Sequence, residues 1–157
     1  MRYAESPEGL PPVSVVVPHR PPMLFLRRIV RAQGDSLEAD LVVDALGPFG
    51  DGFSVPAWVG IEYMAQAVAA WAGLRSHQTG GSPRPGFLLG TRRYECERDR
   101  WQHGTELVVQ VHCELLGENG MGAFRCSLIE DRRSVASARL AVFEPPDLAT
   151  YLGGKEA

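Results

Sequence analysis

The sequence has the size and composition of one folded globular domain. Its 157 residues are enough to bury a core, and 45% hydrophobic with 22% charged residues excludes a disordered or fibrous chain. The 16 basic and 19 acidic residues give a formal net charge of -3, and no basic run indicates nucleic-acid binding. The cysteines are widely spaced and form no CxxC pair, so we expect free buried thiols at Cys96, Cys113 and Cys126.

The N-terminal residues give two predictions, one about the location of the protein and one about the flexibility of its first segment. Residues 1–7 lack the apolar core of a signal peptide, so a cytoplasmic location is expected. Residues 1–12 are rich in Pro, Gly and Glu, which predicts a flexible arm. A single domain at 13–145 and a C-terminal tail at 146–157 complete the predicted organisation.

A strand hairpin and a loop are predicted in the first part of the domain. The segments 23–32 and 36–43 have strand character and are joined by the short turn Gln33-Gly34-Asp35. Four residues of the segment 44–54 are Gly or Pro, which indicates a loop, and Pro56 then stands where proline starts a helix.

The central segment predicts one long buried helix from Pro56 to Arg75. Ala, Val, Met, Trp, Ile and Leu cover all of its faces, so we expect the helix to be enclosed on every side. The same segment raises the question of a membrane span, but it carries Glu62 and Gln66 and follows a glycine-rich loop. A helix buried in protein is therefore the better interpretation.

Four strands are predicted after the helix, at 86–97, 105–116, 123–130 and 134–143. In the second of them, apolar residues share one face and alternate with polar ones, as in a half-buried antiparallel strand; these apolar residues are Leu107, Val109, Val111, Cys113 and Leu115. Two strands, a buried helix and a four-stranded meander make an α+β domain.

Three motifs together resemble a known enzyme family. Val17-Pro18-His19-Arg20-Pro21-Pro22-Met23-Leu24, Ile61-Glu62-Tyr63-Met64-Ala65-Gln66-Ala67 and Gly86-Phe87-Leu88-Leu89-Gly90 are similar to successive landmarks of the 3-hydroxyacyl-acyl-carrier-protein dehydratases. More narrowly they resemble the divergent branch associated with aryl polyene and related lipid-like pathways, over residues 13–145. The resemblance implies a hot-dog fold, in which a long helix is wrapped by an antiparallel sheet.

The resemblance also implies a substrate, partners and a way of assembly. The substrate would be a 3-hydroxyacyl thioester presented on the phosphopantetheine arm of acyl carrier protein, with no metal and no other cofactor. Members of this family form hot-dog dimers whose substrate tunnel lies between the subunits. We therefore expect a homodimer, or a heterodimer with another hot-dog protein, and no membrane span.

Glu62 is the leading candidate for a catalytic residue. Dehydration needs a base for the α-proton, an acid for the departing hydroxyl and a donor to the thioester oxygen. Glu62 matches the family's acidic position, and its apolar neighbours predict a desolvated carboxyl that is suited to donate a proton. Gln66 lies one helical turn further on and is expected to orient this carboxyl by a hydrogen bond.

The family's catalytic histidine is missing from its usual place. That position falls on Pro48 in the segment Pro48-Phe49-Gly50, so only the phenylalanine is retained. His19 is the candidate replacement base, although a turn residue bonded to backbone is the alternative interpretation. His77, His103 and His112 are expected to be solvated, and no histidine spacing indicates a zinc site.

The remaining predicted site residues follow from their positions in the resemblance. Ala57 stands where the family has a glycine whose N–H serves as the oxyanion donor. The predicted substrate-binding residues are Ala57, Phe49, Gln66, Trp58 and Gly90. Arg92 and Arg93 are predicted contacts for an acidic carrier protein, with a solvated strand face as the alternative.

Three functional hypotheses remain open from the sequence. The first is a dehydratase that uses Glu62 as acid and either His19 or a histidine of another chain as base. The second is a non-catalytic or half-site subunit that lends Glu62 to a hot-dog partner. The third is an acyl thioesterase that uses Glu62 and a positioned water. The absence of a histidine at Pro48 favours the second and third over a self-sufficient homodimer.

Overall fold

A computed structural model describes residues 9–81 and 86–145 of the chain. The predicted tail at 146–157 and most of the predicted arm at 1–12 lie outside these residues. Within the described part of the arm, Leu10 packs against the hydrophobic core.

Within residues 9–81 and 86–145, two helices and a short 3-10 turn form the helical part of the fold. Helix α1 spans Val13–Val16, the 3-10 turn spans Ala57–Val59, and helix α2 spans Gly60–Gln78. The predicted long helix is thus present, and it runs three residues beyond the expected end at Arg75.

In the described residues, eight strands form two antiparallel sheets. The strands are β1 (Arg28–Gln33), β2 (Ser36–Val42), β3 (Ser54–Pro56), β4 (Phe87–Cys96), β5 (Arg100–Gln102), β6 (Glu106–Leu116), β7 (Met121–Glu130) and β8 (Arg133–Phe143). The larger sheet has the order β1-β2-β6-β7-β8-β4, and β3 pairs with β5 in a separate two-stranded sheet. The predicted hairpin of β1 and β2 is therefore confirmed. The predicted four-stranded meander is wrong for its first strand, because only β6, β7 and β8 follow one another, while β4 pairs with β8 at the sheet edge and β6 pairs with β2. Strands β3 and β5 were not predicted.

The first strand begins later than the sequence pattern predicts. The prediction placed a strand from Met23, but β1 starts at Arg28. The backbone of Met23 and of Phe25 pairs instead with the side chain of Gln66 in helix α2. These residues belong to a strap, residues 17–25, that crosses the helix between α1 and β1.

The core lies between one face of the larger sheet and helix α2. Alternate residues of β6 point into it, from Leu107 to Cys113, as predicted. The prediction was wrong for Leu115, whose side chain is 64% exposed. A β-bulge between Cys113 and Leu115 shifts the register against β7, and the extra residue moves Leu115 to the other face.

Helix α2 is covered by the sheet on one side and by α1 on another, but one stripe stays open. Trp71 packs edge-on against Phe124 of β7 with ring centroids 5.3 Å apart. Gly73 lies so close to α1 that an added Cβ would overlap the Val16 carbonyl oxygen. The partly exposed stripe consists of Glu62, Ala65, Ala69 and Ala72. Enclosure on every side therefore fails in the single chain, although the arrangement is the predicted hot-dog fold.

Candidate active site

A groove runs along the open stripe of helix α2. Its volume is about 260 Å³, and it lies between the helix, the strap and the ends of strands β4 and β8. The residues that line it are Pro18, His19, Glu62, Ala65, Val68, Ala69, Ala72, Gly86, Phe87, Leu88, Val142, Phe143 and Glu144. The contribution of β8 was not predicted, because it depends on tertiary packing and no local motif in the sequence marks it.

The two predicted catalytic residues meet at one end of this groove. Nε2 of His19 lies 3.8 Å from Oε1 of Glu62, and the two side chains are 28% and 35% exposed. His19 comes from the strap and Glu62 from the first turn of α2, so one chain supplies both groups. The proximity places an imidazole and a carboxyl where both can reach a molecule in the groove.

The two ring nitrogens of His19 have different surroundings. Nδ1 is buried and has no hydrogen-bond partner within the described residues, whereas Nε2 faces Glu62. Burial lowers the pKa of His19 below its usual value; the Glu62 carboxylate opposes this effect, and Arg20 adds to it. The Arg20 guanidinium donates to the carbonyl oxygens of Val17 and His19, which fixes the backbone of the strap at this point.

Gln66 is fully buried and joins the helix to the strap. Its Nε2 donates to Oε1 of Glu62 at 3.0 Å and to the carbonyl oxygen of Met23 at 2.7 Å. Its Oε1 accepts from the N–H of Phe25 at 2.9 Å. The predicted hydrogen bond to Glu62 is therefore present. The side chain has no exposed surface in the chain, so the substrate-binding role of Gln66 stays a prediction.

Phe49 and Trp58 belong to an aromatic cluster outside the groove. The ring of Phe49 packs against Phe25 and Trp58 with centroid distances of 5.8 and 5.6 Å. Phe49 and Pro48 line a separate small cavity of about 30 Å³, together with Tyr63. Trp58 is 57% exposed and lies one turn before Glu62. Neither predicted substrate-binding aromatic residue lines the groove that holds Glu62.

The backbone of Ala57 is fully engaged. Its N–H donates to the carbonyl oxygen of Asp99 at 3.1 Å. Its carbonyl oxygen accepts from the hydroxyl of Tyr94 at 2.6 Å and from the indole N–H of Trp101 at 3.2 Å. The expected oxyanion donor at Ala57 is therefore not supported, because the N–H already has an acceptor. These bonds instead anchor the start of the helix to β4 and β5.

Three further predicted site residues lie on strand β4, at the outer edge of the larger sheet. Gly90 is exposed and lies beyond Gly86, Phe87 and Leu88, the part of this segment that lines the groove. Arg92 and Arg93 are exposed, and neither has an ion-pair partner within the described residues. The positions of the two arginines thus agree with the predicted carrier contact as well as with its alternative, a solvated strand face.

The described part of the chain shows neither of two kinds of feature, a metal-binding cluster and a membrane-spanning helix. Residues 9–81 and 86–145 contain no cluster of His, Cys, Asp and Glu that could hold a metal ion. None of the helices in these residues is long and apolar enough to cross a membrane.

A family model and one solved structure match nearly the whole chain. The model of the ApeP-like family, described as ApeP dehydratase, matches residues 11–153. The dehydratase heterocomplex ApeI:P from Xenorhabdus doucetiae contains a chain that is 27% identical, with a TM-score of 0.82. That match covers 92% of this chain and 99% of the other. No curated protein sequence matches significantly.

More distant structures share the fold alone. The TT0310 protein from Thermus thermophilus is 15% identical with a TM-score of 0.57, over 77% of this chain and 92% of that one. The E. coli PaaI protein of the phenylacetic acid degradation operon is 12% identical with a TM-score of 0.56, over 74% and 77% of the two chains.

Proposed function

This chain belongs to the ApeP-like dehydratase family, and we propose that it acts, as a dehydratase or a dehydratase subunit, on a 3-hydroxyacyl thioester carried by acyl carrier protein. The product would be the trans-2-enoyl thioester, in fatty acid or polyene-type biosynthesis. A cytoplasmic location and the phosphopantetheine arm as the carrier of the acyl group are parts of the same proposal.

The observation that carries the proposal is the approach of His19 to Glu62 in an open groove. Loss of water from a 3-hydroxyacyl thioester requires one proton to leave C2 and one to reach the hydroxyl on C3. Two titratable groups 3.8 Å apart can both reach adjacent carbon atoms of one substrate. The apolar walls formed by Ala65, Ala69 and Phe87 suit the acyl chain beyond C3.

We further propose that the chain works as a heterodimer with a second hot-dog protein. The related Xenorhabdus chain is part of a heterocomplex. The open stripe of α2 and the outer strand β4 are surfaces that a second hot-dog domain would cover, which would close the groove into a tunnel. Pro48 adds a reason for a different partner, because a second copy of this chain could not supply the missing histidine.

Arg92 and Arg93 are the proposed contacts for acyl carrier protein. Both are exposed on the outer strand and carry no ion pair within the described residues, so their charge is available to an acidic partner.

The test is a dehydration assay with and without the partner. The purified chain, a candidate hot-dog partner protein and their mixture would each receive 3-hydroxyacyl carrier protein, and mass spectrometry would detect the loss of water. Enoyl product from the mixture, and its loss in the Glu62→Gln variant, is the expected result. Release of free acid would instead indicate the thioesterase. If none of the three samples yields the enoyl product or the free acid, an enzymatic role on this substrate is refuted.

A histidine variant separates the two possible sources of the imidazole. If His19→Ala abolishes water loss in the mixture, the reaction in the groove uses the histidine of this chain. If His19→Ala leaves water loss intact while Glu62→Gln abolishes it, a histidine of the partner completes the site.

A further inference from the structure

The surroundings of His19 determine which of its ring nitrogens carries the proton. A neutral imidazole has one N–H and one lone pair. With the proton on Nδ1, a buried N–H would have no acceptor among residues 9–81 and 86–145, and the lone pair of Nε2 would face the Glu62 carboxylate. With the proton on Nε2, the N–H faces the carboxylate and only a lone pair is buried, which proteins tolerate better than an orphaned donor. The contacts therefore favour the Nε2–H tautomer.

The doubly protonated ring is disfavoured for the same reason. An imidazolium would again place an unpaired N–H at the buried Nδ1. The charged groups near the ring are Glu62 from α2 and Arg20 from the strap, and Glu144, just beyond β8, lines the same groove. Burial outweighs the attraction of Glu62, so the pKa of His19 is lowered and the ring is neutral near pH 7.

The Glu62 carboxyl is placed to take a proton. Its Oε1 accepts from the Gln66 amide at 3.0 Å and is also the oxygen nearest to His19. Oε2 has no hydrogen-bond partner within the described residues, and Glu62 lines the groove. Oε1 is thus held by the Gln66 amide, while Oε2 is available to a substrate.

From these contacts we propose that Glu62 is the base and that His19 is a neutral hydrogen-bond donor through Nε2–H. The assignment rests on the proposed dehydratase function and reverses the roles expected from the sequence, in which Glu62 was the acid and His19 the base. A His19 side chain protonated at Nε2 has no lone pair there with which to remove a proton.

The resulting reaction is balanced with a single carboxyl group. The Glu62 carboxylate removes a proton from C2, and the electrons of that C–H bond form the C2=C3 double bond. The C3–O bond breaks, and the departing hydroxyl takes the proton back from Glu62 and leaves as water. Nε2–H of His19 donates to the thioester oxygen, where negative charge develops while the C2 proton is being removed.

The tautomer can be measured without substrate. The 15N chemical shifts of the His19 ring, assigned by loss of the signals in His19→Gln, report which nitrogen is protonated near pH 7. We expect the Nε2–H form in the chain alone and in the complex with its partner. The Nδ1–H form, or a charged ring near pH 7, would overturn the inference whether or not the protein is a dehydratase.

A series of substitutions then tests the role in catalysis. The amide of His19→Gln can place an N–H near the position of Nε2 but cannot accept a proton, whereas His19→Asn reaches only the position of Nδ1. We expect His19→Gln to keep activity within about tenfold of the wild-type complex, and His19→Asn and His19→Ala to lose about 10²–10³-fold, as when an oxyanion donor is removed.

The outcomes of the series separate this inference from the proposed function. A His19→Gln variant as inactive as His19→Ala means that His19 must transfer a proton, and the assignment of Glu62 as sole base fails. Full activity of His19→Ala likewise removes the donor role. A wild-type complex that releases no water refutes the function and the base assignment together, while the 15N measurement still decides the tautomer.

Discussion

The Gln66 amide donates to the Glu62 carboxylate at 3.0 Å from a position with no exposed surface. The same side chain bonds the backbone of Met23 and Phe25, so it orients Glu62 and holds the strap that carries His19. The relative placement of the two candidate catalytic residues therefore depends on one buried amide.

Replacing Gln66 by Met should disturb both stability and catalysis. Met has a similar volume but leaves the carbonyl of Met23 and the N–H of Phe25 without partners, at a cost of about 1–3 kcal/mol for each stranded group. We expect a lower free energy of unfolding in urea, and a kcat about 100-fold lower with a smaller change in KM, because the reacting groups are misplaced. Gln78→Met, at the exposed end of α2, is the matched control and should change stability by less than about 0.5 kcal/mol. An unchanged kcat in Gln66→Met would contradict the positioning role.

The stability of the fold should fall with acid partly through His19. The pKa of His19 is lowered in the folded chain, so the unfolded chain binds more protons below the ordinary value of 6.5. The stability that the neutral ring contributes is complete above pH 6.5 and is lost as the pH falls through the lowered folded-state pKa. We expect the free energy of unfolding of His19→Gln to fall less steeply over this window, measured by urea unfolding at a series of pH values. Parallel curves for the two proteins would show that the ring is not desolvated.

Substitution of Gly73 by Ala should destabilise the contact between α1 and α2. A helix interior normally gains about 1 kcal/mol when Gly becomes Ala. Here the new Cβ would overlap the Val16 carbonyl oxygen, so the backbone must move. We expect a net loss of about 1–3 kcal/mol, as for other overpacked sites. His77→Ala, at an exposed position of the same helix, is the control, and thermal unfolding of both variants is the measurement.

Reversing the charge of Arg93 should weaken the binding of the carrier-bound substrate. Arg93→Glu is expected to raise KM several-fold for 3-hydroxyacyl carrier protein at low salt, and less at high salt, because exposed charges are screened. Arg132→Glu is a close control, since both arginines are exposed, lack ion pairs within the described residues and have positive φ, 52° and 66°. A similar rise in KM for a substrate on a short pantetheine analogue would argue against a carrier contact.

The sequence predicts the elements of this fold better than it predicts their irregularities. The long helix follows from a continuous run of apolar residues, and strand β6 follows from the alternation of apolar and polar residues. The three motifs indicate the family. Leu115 was misplaced because a bulge inserts one residue into the ladder, and no residue type at that point marks it. The late start of β1 depends on Gln66, a bond between segments about 40 residues apart.

The candidate site shows the same division. Glu62 and its bond to Gln66 could be predicted, because both lie on one helix at a spacing of four residues. The approach of His19 and the occupied N–H of Ala57 could not be predicted, since each depends on a strap or strand that arrives from elsewhere in the chain. Local spacing on the helix thus predicts the hydrogen bond that orients Glu62. The contacts made by segments distant in the sequence can be seen only in the tertiary structure.

The outer strand β4 has a consequence for folding in the cell. It exposes Leu88 and Leu89, 43% and 52%, on a sheet edge of the kind that can add strands from other chains and aggregate. Two register shifts, between Leu88 and Gly90 and between Arg92 and Glu95, interrupt the ladder along the same strand, and two arginines lie beside the second. A straight strand of arbitrary sequence would lose hydrogen bonds at both shifts and meet positive charge at one of them. The irregular edge of β4 therefore disfavours the addition of strands from unrelated chains before a newly synthesised chain has bound its partner.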